Sequence, residues 1–210
     1  MLPKEMIRRV FCIGRNYRLH AQELNNALPE KPVVFLKPKE SVFFEGTDII
    51  HPGCGRDLQH ESEWVVRIGK EGVFKQGESA GDWIDSMTLG LDLTLRDLQE
   101  ALKKKGLPWE KAKSFDRSAP LGDFVPFNPE LSLNGITFTC HVNDRLRQTG
   151  NTGAMIFPIE TCLAEISRYW RLLPGDIVFT GTPEGVGSLS PGDRITIASA
   201  SIGVFTWNIV

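Results

Sequence analysis

The chain has 210 residues, of which 41% are hydrophobic and 24% charged, and its formal net charge is -2. This composition is typical of one folded domain and excludes a disordered or collagen-like chain. The 24 basic and 26 acidic side chains nearly balance, which argues against a nucleic-acid binder, because such proteins carry a basic surplus.

The predicted elements of the first half are two helices and two strands. Glycine (20) and proline (13) are frequent, so many turns and a β-rich fold are expected. A short helix near 17–28 ends before Pro29, and apolar runs at 33–36 and 64–68 predict strands. The second helix, 94–105, has Thr94 as its expected N-cap and stops at Gly106.

The second half of the chain adds mainly strands. The run 136–142 is flanked by turn residues, among them Asn143-Asp144, which indicates a hairpin. Apolar residues at helical spacing predict a helix over 159–172. Further strands are expected at 177–180, 194–198 and 204–210. The fold class is therefore mainly β with a few helices (α+β), in a single domain over 1–210, where 1–45 could pack as a small N-terminal segment.

The sequence patterns typical of membrane-spanning or secreted proteins are not found. Residue runs of about 18 apolar side chains, as a membrane span needs, are absent from the sequence, and the N-terminus lacks the features of a signal peptide. The four cysteines are irregularly spaced without a CxxC pair, which favours reduced thiols over a zinc ribbon, with two disulfides as an alternative. We expect a cytoplasmic protein with neither a nucleic-acid nor a membrane partner.

Three acids form the first candidate site. Glu61 and Glu63 share a face if they open a strand, because side chains alternate along a strand. Two such carboxylates suit a hard divalent ion such as Mg²⁺, although a solvated strand face is the plainer alternative. Asp92 lies in an apolar run before a helix and needs a partner if buried. It could instead assist the cap of that helix.

Basic and amide side chains accompany these acids. Arg96 and Gln99 follow Asp92 on one side of the predicted helix and suit a ligand that carries a carboxylate. Lys113 could stabilise a developing oxyanion or enolate near a metal, and Lys37 is a similar case after an apolar run. For each lysine the alternative is a solvated side chain.

A histidine–glutamate pair is the candidate general base. His20 and Glu23 are three residues apart on a predicted helix, so the carboxylate can orient the imidazole to activate water. An ordinary surface pair is the alternative. The glycine-rich stretch 180–187 could bind a carboxylate through its N–H groups and hydroxyls, but it lacks the spacing of a phosphate-binding loop and is otherwise only a turn.

Together and in this order, these segments resemble the fumarylacetoacetate hydrolase superfamily, in particular its small acylpyruvase and oxaloacetate-handling branch. Each motif is modest alone, but their ordered combination is specific and covers about residues 11–193. One departure is Gln59, where many relatives have a histidine, and tuning rather than loss of activity is expected from it. The matching stretches are 13–17 with His20 and Glu23, 35–38, 60–63, 91–99, 106–116, 155–157 and 180–187.

The resemblance implies a mixed β-sandwich roll, usually in a homodimer. It implies a metal site for Mg²⁺ or Mn²⁺ formed by Glu61, Glu63 and Asp92. It assigns His20 and Glu23 to water activation and matches Lys113 to the active-site lysine of the family. The expected substrate-binding residues, which contact carboxylate or carbonyl oxygens, are Arg96, Gln99, Thr182 and Lys37.

The expected activity is that of a metal-dependent hydrolase. It cleaves a C–C bond in a 2,4-dioxo acid such as acetylpyruvate or fumarylpyruvate and gives pyruvate and a carboxylic acid. Decarboxylation or tautomerisation of oxaloacetate, and isomerisation of 2-hydroxyhepta-2,4-diene-1,7-dioate, are alternatives at the same site. A non-catalytic module that binds diacids is the alternative of another class.

Overall fold

The structure is a computed structural model that describes residues 6–210. The helices are α1 (Arg18–Glu23), α2 (Arg96–Lys104), α3 (Glu110–Lys113) and α4 (Ile159–Ser167), with short 3₁₀ helices at Lys39–Ser41, Ala80–Asp82 and Thr152–Ala154. The strands are β1 (Val10–Gly14), β2 (Val33–Lys37), β3 (Val42–Phe44), β4 (Leu58–His60), β5 (Ser62–Ile68), β6 (Ile84–Leu91), β7 (Thr94–Leu95), β8 (Ala119–Leu121), β9 (Val125–Pro126), β10 (Thr137–Val142), β11 (Arg145–Asn151), β12 (Ile177–Phe179), β13 (Gly187–Ser188), β14 (Arg194–Ser199) and β15 (Gly203–Asn208).

The largest sheet is mixed. Its strands lie in the order β2-β1-β12-β5-β6-β8-β3, and β9 pairs with β6. β1 is parallel to β12 and β3 to β8, whereas β5 is antiparallel to both β6 and β12. The start of β5 therefore lies beside the ends of β6 and β12, and this edge of the sheet carries the candidate site.

Two smaller sheets complete a mainly β fold, as the sequence predicts. One has the order β11-β10-β14-β15 and the other β13-β4-β7. β10 packs on β5 and β14 packs on β6, so the main apolar core, which includes the buried Trp64, Phe138 and Trp207, lies between sheets. Gly90 permits close packing in β6, because a Cβ there would lie 2.7 Å from Leu121 Cδ2.

The predicted strands are confirmed, with ends shifted by three residues or fewer, and β6 is the main strand that the sequence patterns did not predict. Asn143 and Asp144, with φ of 50° and 61°, form the turn between β10 and β11. Both adopt the left-handed conformation that a two-residue hairpin turn requires.

The helices are shorter than expected. The first ends at Glu23 and the last at Ser167. The expected Thr94 cap is wrong: α2 begins at Arg96, and the Thr94 hydroxyl instead donates to the carbonyl of Asp92. Within residues 6–210, no helix combines the length and apolar character that a membrane span needs.

Candidate active site

The three acids predicted from sequence lie together at the edge where β5 begins. Glu61 precedes β5, Glu63 lies within it, and Asp92 follows β6. The Asp92 N–H donates to the Glu61 carbonyl over 2.8 Å. One carboxylate oxygen of each acid lies within 4.8 Å of the others. The antiparallel register of β5 and β6 thus brings Asp92 to the acids that alternate along β5.

This acidic cluster is suited to a divalent metal. Its members expose only 2–5% of their surface, and burial together with Asp92 and Glu61 raises the pKa of Glu63 well above its usual range. Asp92 Oδ1 is buried and lies 2.9 Å from Lys37 Nζ. A hard cation, which prefers oxygen ligands, would relieve the repulsion among these three carboxylates.

Two buried lysines contact the acids. Lys113 Nζ lies 2.6 Å from Glu61 Oε2 and 2.7 Å from Asp92 Oδ2. Although burial lowers the pKa of Lys113, Asp92 and Glu61 raise it above its usual value. Lys37 Nζ lies 2.9 Å from Asp92 Oδ1, but it donates its hydrogen bonds to the Leu93 and Lys113 carbonyls and to Ser118 Oγ.

Arg96 connects α2 to the acids. It donates to Glu61 Oε1 through Nη2 and to Gln99 Oε1 through Nη1. Although burial would raise the pKa of Glu61, Lys113 and Arg96 hold it well below the usual range. Gln59 Oε1 accepts a hydrogen bond of 2.8 Å from Arg96 Nε, so the residue that departs from the family pattern orients this guanidinium.

The histidine–glutamate pair forms as predicted. His20 Nδ1 lies 3.3 Å from Glu23 Oε2, and the other Glu23 oxygen accepts from the Gly185 N–H. Burial lowers the pKa of His20 below 6.5, although Glu61 and Glu23 oppose this shift. This shift favours the neutral imidazole. With Nδ1 bonded to Glu23, the lone pair lies on Nε2.

One pocket is lined by Glu61 of the acidic cluster and by His20 of the histidine pair. Its inner residues are buried and its outer residues are half-buried. The inner residues are His20, Glu61, Arg96, Gln99 and Lys113, and the outer ones include Arg15, Asn26, Lys103 and Trp109.

The glycine-rich turn binds the protein's own carboxylates. Its Gly181 N–H donates to Glu63 and its Gly185 N–H to Glu23. Thr182 is buried, and its hydroxyl donates to the Ser62 carbonyl over 2.8 Å. Neither Thr182 nor Lys37 lines the pocket that holds His20.

Two buried residues that the sequence patterns did not single out hold the turn. Gln148 Oε1 accepts from the backbone N–H and hydroxyl of Ser62, and its Nε2 donates to Thr182. Asn16 Nδ2 donates to the Thr180 and Phe157 carbonyls. Gln148 lies in the mostly exposed strand β11. The burial of its amide is the one sign of its role, and that burial is known only from the structure.

The fumarylacetoacetate (FAA) hydrolase C-terminal family matches residues 9–210 of the chain. The mitochondrial oxaloacetate tautomerase of Bos taurus is 40% identical over 188 residues, which cover 90% of this chain and 85% of that protein. The mitochondrial oxaloacetate decarboxylase of Dictyostelium discoideum is 40% identical over 189 residues, covering 90% and 87% of the two chains.

Solved structures of enzymes are also similar to this chain. The fumarylpyruvate hydrolase of Pseudomonas aeruginosa, in complex with Mn²⁺ and pyruvate, has a TM-score of 0.91 and 35% identity, over 97% of this chain and 90% of that one. The 2-hydroxyhepta-2,4-diene-1,7-dioate isomerase of Mycobacterium marinum has a TM-score of 0.84 and 30% identity, over 98% and 75%.

Proposed function

Because the chain belongs to the fumarylacetoacetate hydrolase family of enzymes, we propose that it is a metal-dependent hydrolase of 2,4-dioxo acids. It cleaves a C–C bond to give pyruvate and a carboxylic acid. The observation that carries this proposal is the His20–Glu23 pair, whose His20 lines the same pocket as Lys113, Arg96 and Gln99. A site that only shifts a proton within an oxo acid needs no activated water.

The metal in this proposal is Mg²⁺ or Mn²⁺, held by Glu61, Glu63 and Asp92. Their buried carboxylate oxygens, one from each acid within 4.8 Å of the others, support that assignment. When bound, such an ion polarises the oxo-acid oxygens and stabilises negative charge on the pyruvate portion. In this proposal Lys37 positions the Asp92 carboxylate that its ammonium contacts, instead of binding the substrate as the resemblance implies.

The other steps of the proposed reaction are assigned to individual side chains. His20 accepts a proton from water through Nε2 while Glu23 holds the ring through Nδ1. Arg96 binds the substrate carboxylate. Gln99 accepts from Arg96 through its oxygen, which leaves its amide hydrogens to donate. These hydrogens and the Lys113 ammonium stabilise the charge that develops on oxygen as the carbon–carbon bond breaks.

A second candidate function is tautomerisation or decarboxylation of oxaloacetate. The 40% identity to an oxaloacetate tautomerase and an oxaloacetate decarboxylase favours it. The same acids, Lys113 and Arg96 would serve an enolate of oxaloacetate. The isomerase neighbour makes a hydroxydienedioate a third substrate to include in an assay.

A parallel assay tests these functions. Purified protein with Mg²⁺ or Mn²⁺ is offered acetylpyruvate, fumarylpyruvate and oxaloacetate, and the same assays are run on His20→Asn. We expect metal-dependent release of pyruvate from at least one dioxo acid and a loss of that release in the variant. Metal-dependent turnover of oxaloacetate alone, unaffected in His20→Asn, would replace hydrolysis with the second candidate.

The proposal also includes a homodimer and a cytoplasmic location. The family resemblance supports the dimer, which gel filtration checks. All four cysteines are free, and Cys12, Cys140 and Cys162 are buried, which supports a reducing compartment.

A further inference from the structure

Two basic side chains at the outer end of the pocket have no part in the proposed chemistry. Arg15 follows β1, and Lys103 lies near the end of α2. Both line the same pocket as His20 and Lys113, and both are half-buried. They thus lie on the path between the buried reaction centre and solvent.

The charges of these two cations are little offset by acids. In the part of the chain that the structure describes, neither Arg15 nor Lys103 forms an ion pair, whereas Arg96 is paired with Glu61. Burial lowers the pKa of Lys103, Arg15 and Arg96 lower it further, and Glu100 opposes the shift to a smaller extent. Mutual repulsion between neighbouring cations is unfavourable, so a bound anion would relieve it.

Both side chains are held in position by neutral neighbours. Lys103 Nζ donates to Asn26 Oδ1 over 2.6 Å. The Arg15 guanidinium lies 5.5 Å from the centroid of the Trp109 ring, a favourable cation–π contact. The φ of Arg15 is 58°, a left-handed conformation that non-glycine residues adopt at a cost. This cost is characteristic of functional positions.

The inner end already has its own anion-binding groups. Arg96 and Lys113 contact the acidic cluster there, and Gln99 contacts Arg96. We propose that Arg15 and Lys103 bind a second, distal carboxylate, so that the enzyme selects dicarboxylic 2-oxo acids over those that end in an alkyl group. This inference rests on the proposed function, because the first carboxylate must occupy the inner end.

Binding of two inert 2-oxo acids of equal length tests the inference. 2-Oxoglutarate ends in a carboxylate and 2-oxopentanoate in a methyl group, and neither contains the dioxo unit that is cleaved. Calorimetric titration of the Mg²⁺-loaded protein gives the affinity ratio of the two ligands. We expect 2-oxoglutarate to bind about ten- to a hundred-fold more tightly, as for a charge-assisted hydrogen bond.

The variants Arg15→Met and Lys103→Met should each reduce this ratio toward one while leaving the affinity for 2-oxopentanoate unchanged. Lys105→Met removes the same charge from an exposed position of the same segment and should keep the wild-type ratio. An equal loss for both ligands would show a structural role and overturn the inference, as would a preference that survives in both variants or is absent from the wild type.

Turnover extends the test and separates it from the proposed function. Arg15→Met and Lys103→Met should lower kcat/KM for fumarylpyruvate about ten- to a hundred-fold relative to acetylpyruvate, which lacks the distal carboxylate. If the wild type cleaves neither compound but prefers 2-oxoglutarate in titrations, the hydrolase proposal fails and the carboxylate site stands. If it cleaves both with a ratio that the variants do not change, the carboxylate site fails alone.

Discussion

Gln148 Nε2 donates a hydrogen bond of 2.8 Å to Thr182 Oγ1. The same amide accepts from Ser62 through its oxygen, so one buried side chain joins β11, the start of β5 and the glycine-rich turn. The acids of β5 and the N–H groups of that turn are thereby held in register.

The variant Gln148→Leu should destabilise the protein by about 2–5 kcal/mol, because it leaves several buried donors and acceptors of Ser62 and Thr182 without partners. Urea unfolding measures the change. Gln76→Leu, at an exposed turn position, should stay within about 0.5 kcal/mol of the wild type. Equal stability of the two variants would mean that the amide does not hold the turn.

The variant Glu63→Gln should abolish metal-induced stabilisation without harming the metal-free protein. Because burial, Asp92 and Glu61 raise the pKa of Glu63 in the folded state, ionisation of this group opposes folding. Protonated Glu63 stabilises the fold. This stabilisation is fully present below the usual pKa of a Glu side chain and is lost as the pH rises through the pKa of Glu63 in the folded protein.

Thermal unfolding at pH 7 with and without Mn²⁺ tests this prediction. The metal-free variant should melt at the wild-type temperature or about 2–4 °C above it, equivalent to about 1 kcal/mol. The shift caused by Mn²⁺ should disappear. A metal-free variant that melts well below the wild type would show that the Glu63 carboxylate stabilises the fold.

The rate of hydrolysis should fall below neutral pH as His20 becomes protonated. Because burial lowers the pKa of His20 below 6.5, the acid limb of kcat/KM should lie at a pH below 6.5. In Glu23→Gln the carboxylate that raises this pKa is gone. The acid limb of kcat/KM should therefore move to still lower pH, and the maximal value of kcat/KM should fall.

A pH–rate profile of the wild type, Glu23→Gln and His20→Asn measures these effects. His20→Asn should lose about 10²–10⁴-fold in rate while binding oxalate and metal like the wild type. If the acid limb in Glu23→Gln moves upward, the assignment of His20 as the base is wrong.

The variant Gly181→Ala should disturb both the turn and the acid that it contacts. The φ of Gly181 is 103°, and an added Cβ would lie 2.6 Å from Asn16 Cβ. We expect a loss of about 2–4 kcal/mol from backbone strain and overpacking, with weaker Mn²⁺ binding because Gly181 positions Glu63.

Gly192→Ala is the matched control. Its φ is 93°, but a Cβ there would have open space, so the loss should be about 1–2 kcal/mol from backbone strain alone. Urea midpoints and Mn²⁺ titrations compare the two. Similar losses in both variants would show that the contact with Asn16 does not matter.

Alternation along a strand explains why part of the site could be predicted from sequence. Glu61 and Glu63 are two residues apart, and Arg96 and Gln99 are three apart on a helix, so local periodicity alone places each pair on one face. Asp92 joins them only through the register of β5 with β6, in which Ser62 pairs with Leu91. The family resemblance supplied that relation; spacing alone could not.

Other contacts depend on long-range pairing that sequence patterns do not encode. β6 was not predicted because no continuous apolar run marks it, although Met87, Leu89 and Leu91 alternate with smaller or polar residues as in a strand, and both of its faces are buried. Thr94 does not cap α2 because it lies in β7, which pairs with β4. This pairing outweighs the local preference of threonine for the N-cap position. Lys103 and Arg15 lie 88 positions apart, and only the fold brings them to one pocket.

The buried ion pairs of Lys37, Lys113 and Arg96 with the acids have a consequence for the order of assembly. Three basic side chains contact the three-acid cluster, so the chain carries its own counter-ions into the core. A small zinc domain, by contrast, stays unfolded until its metal arrives. We therefore expect this protein to fold without the ion and to bind it afterwards, so that a shortage of metal leaves a folded protein rather than an unfolded chain.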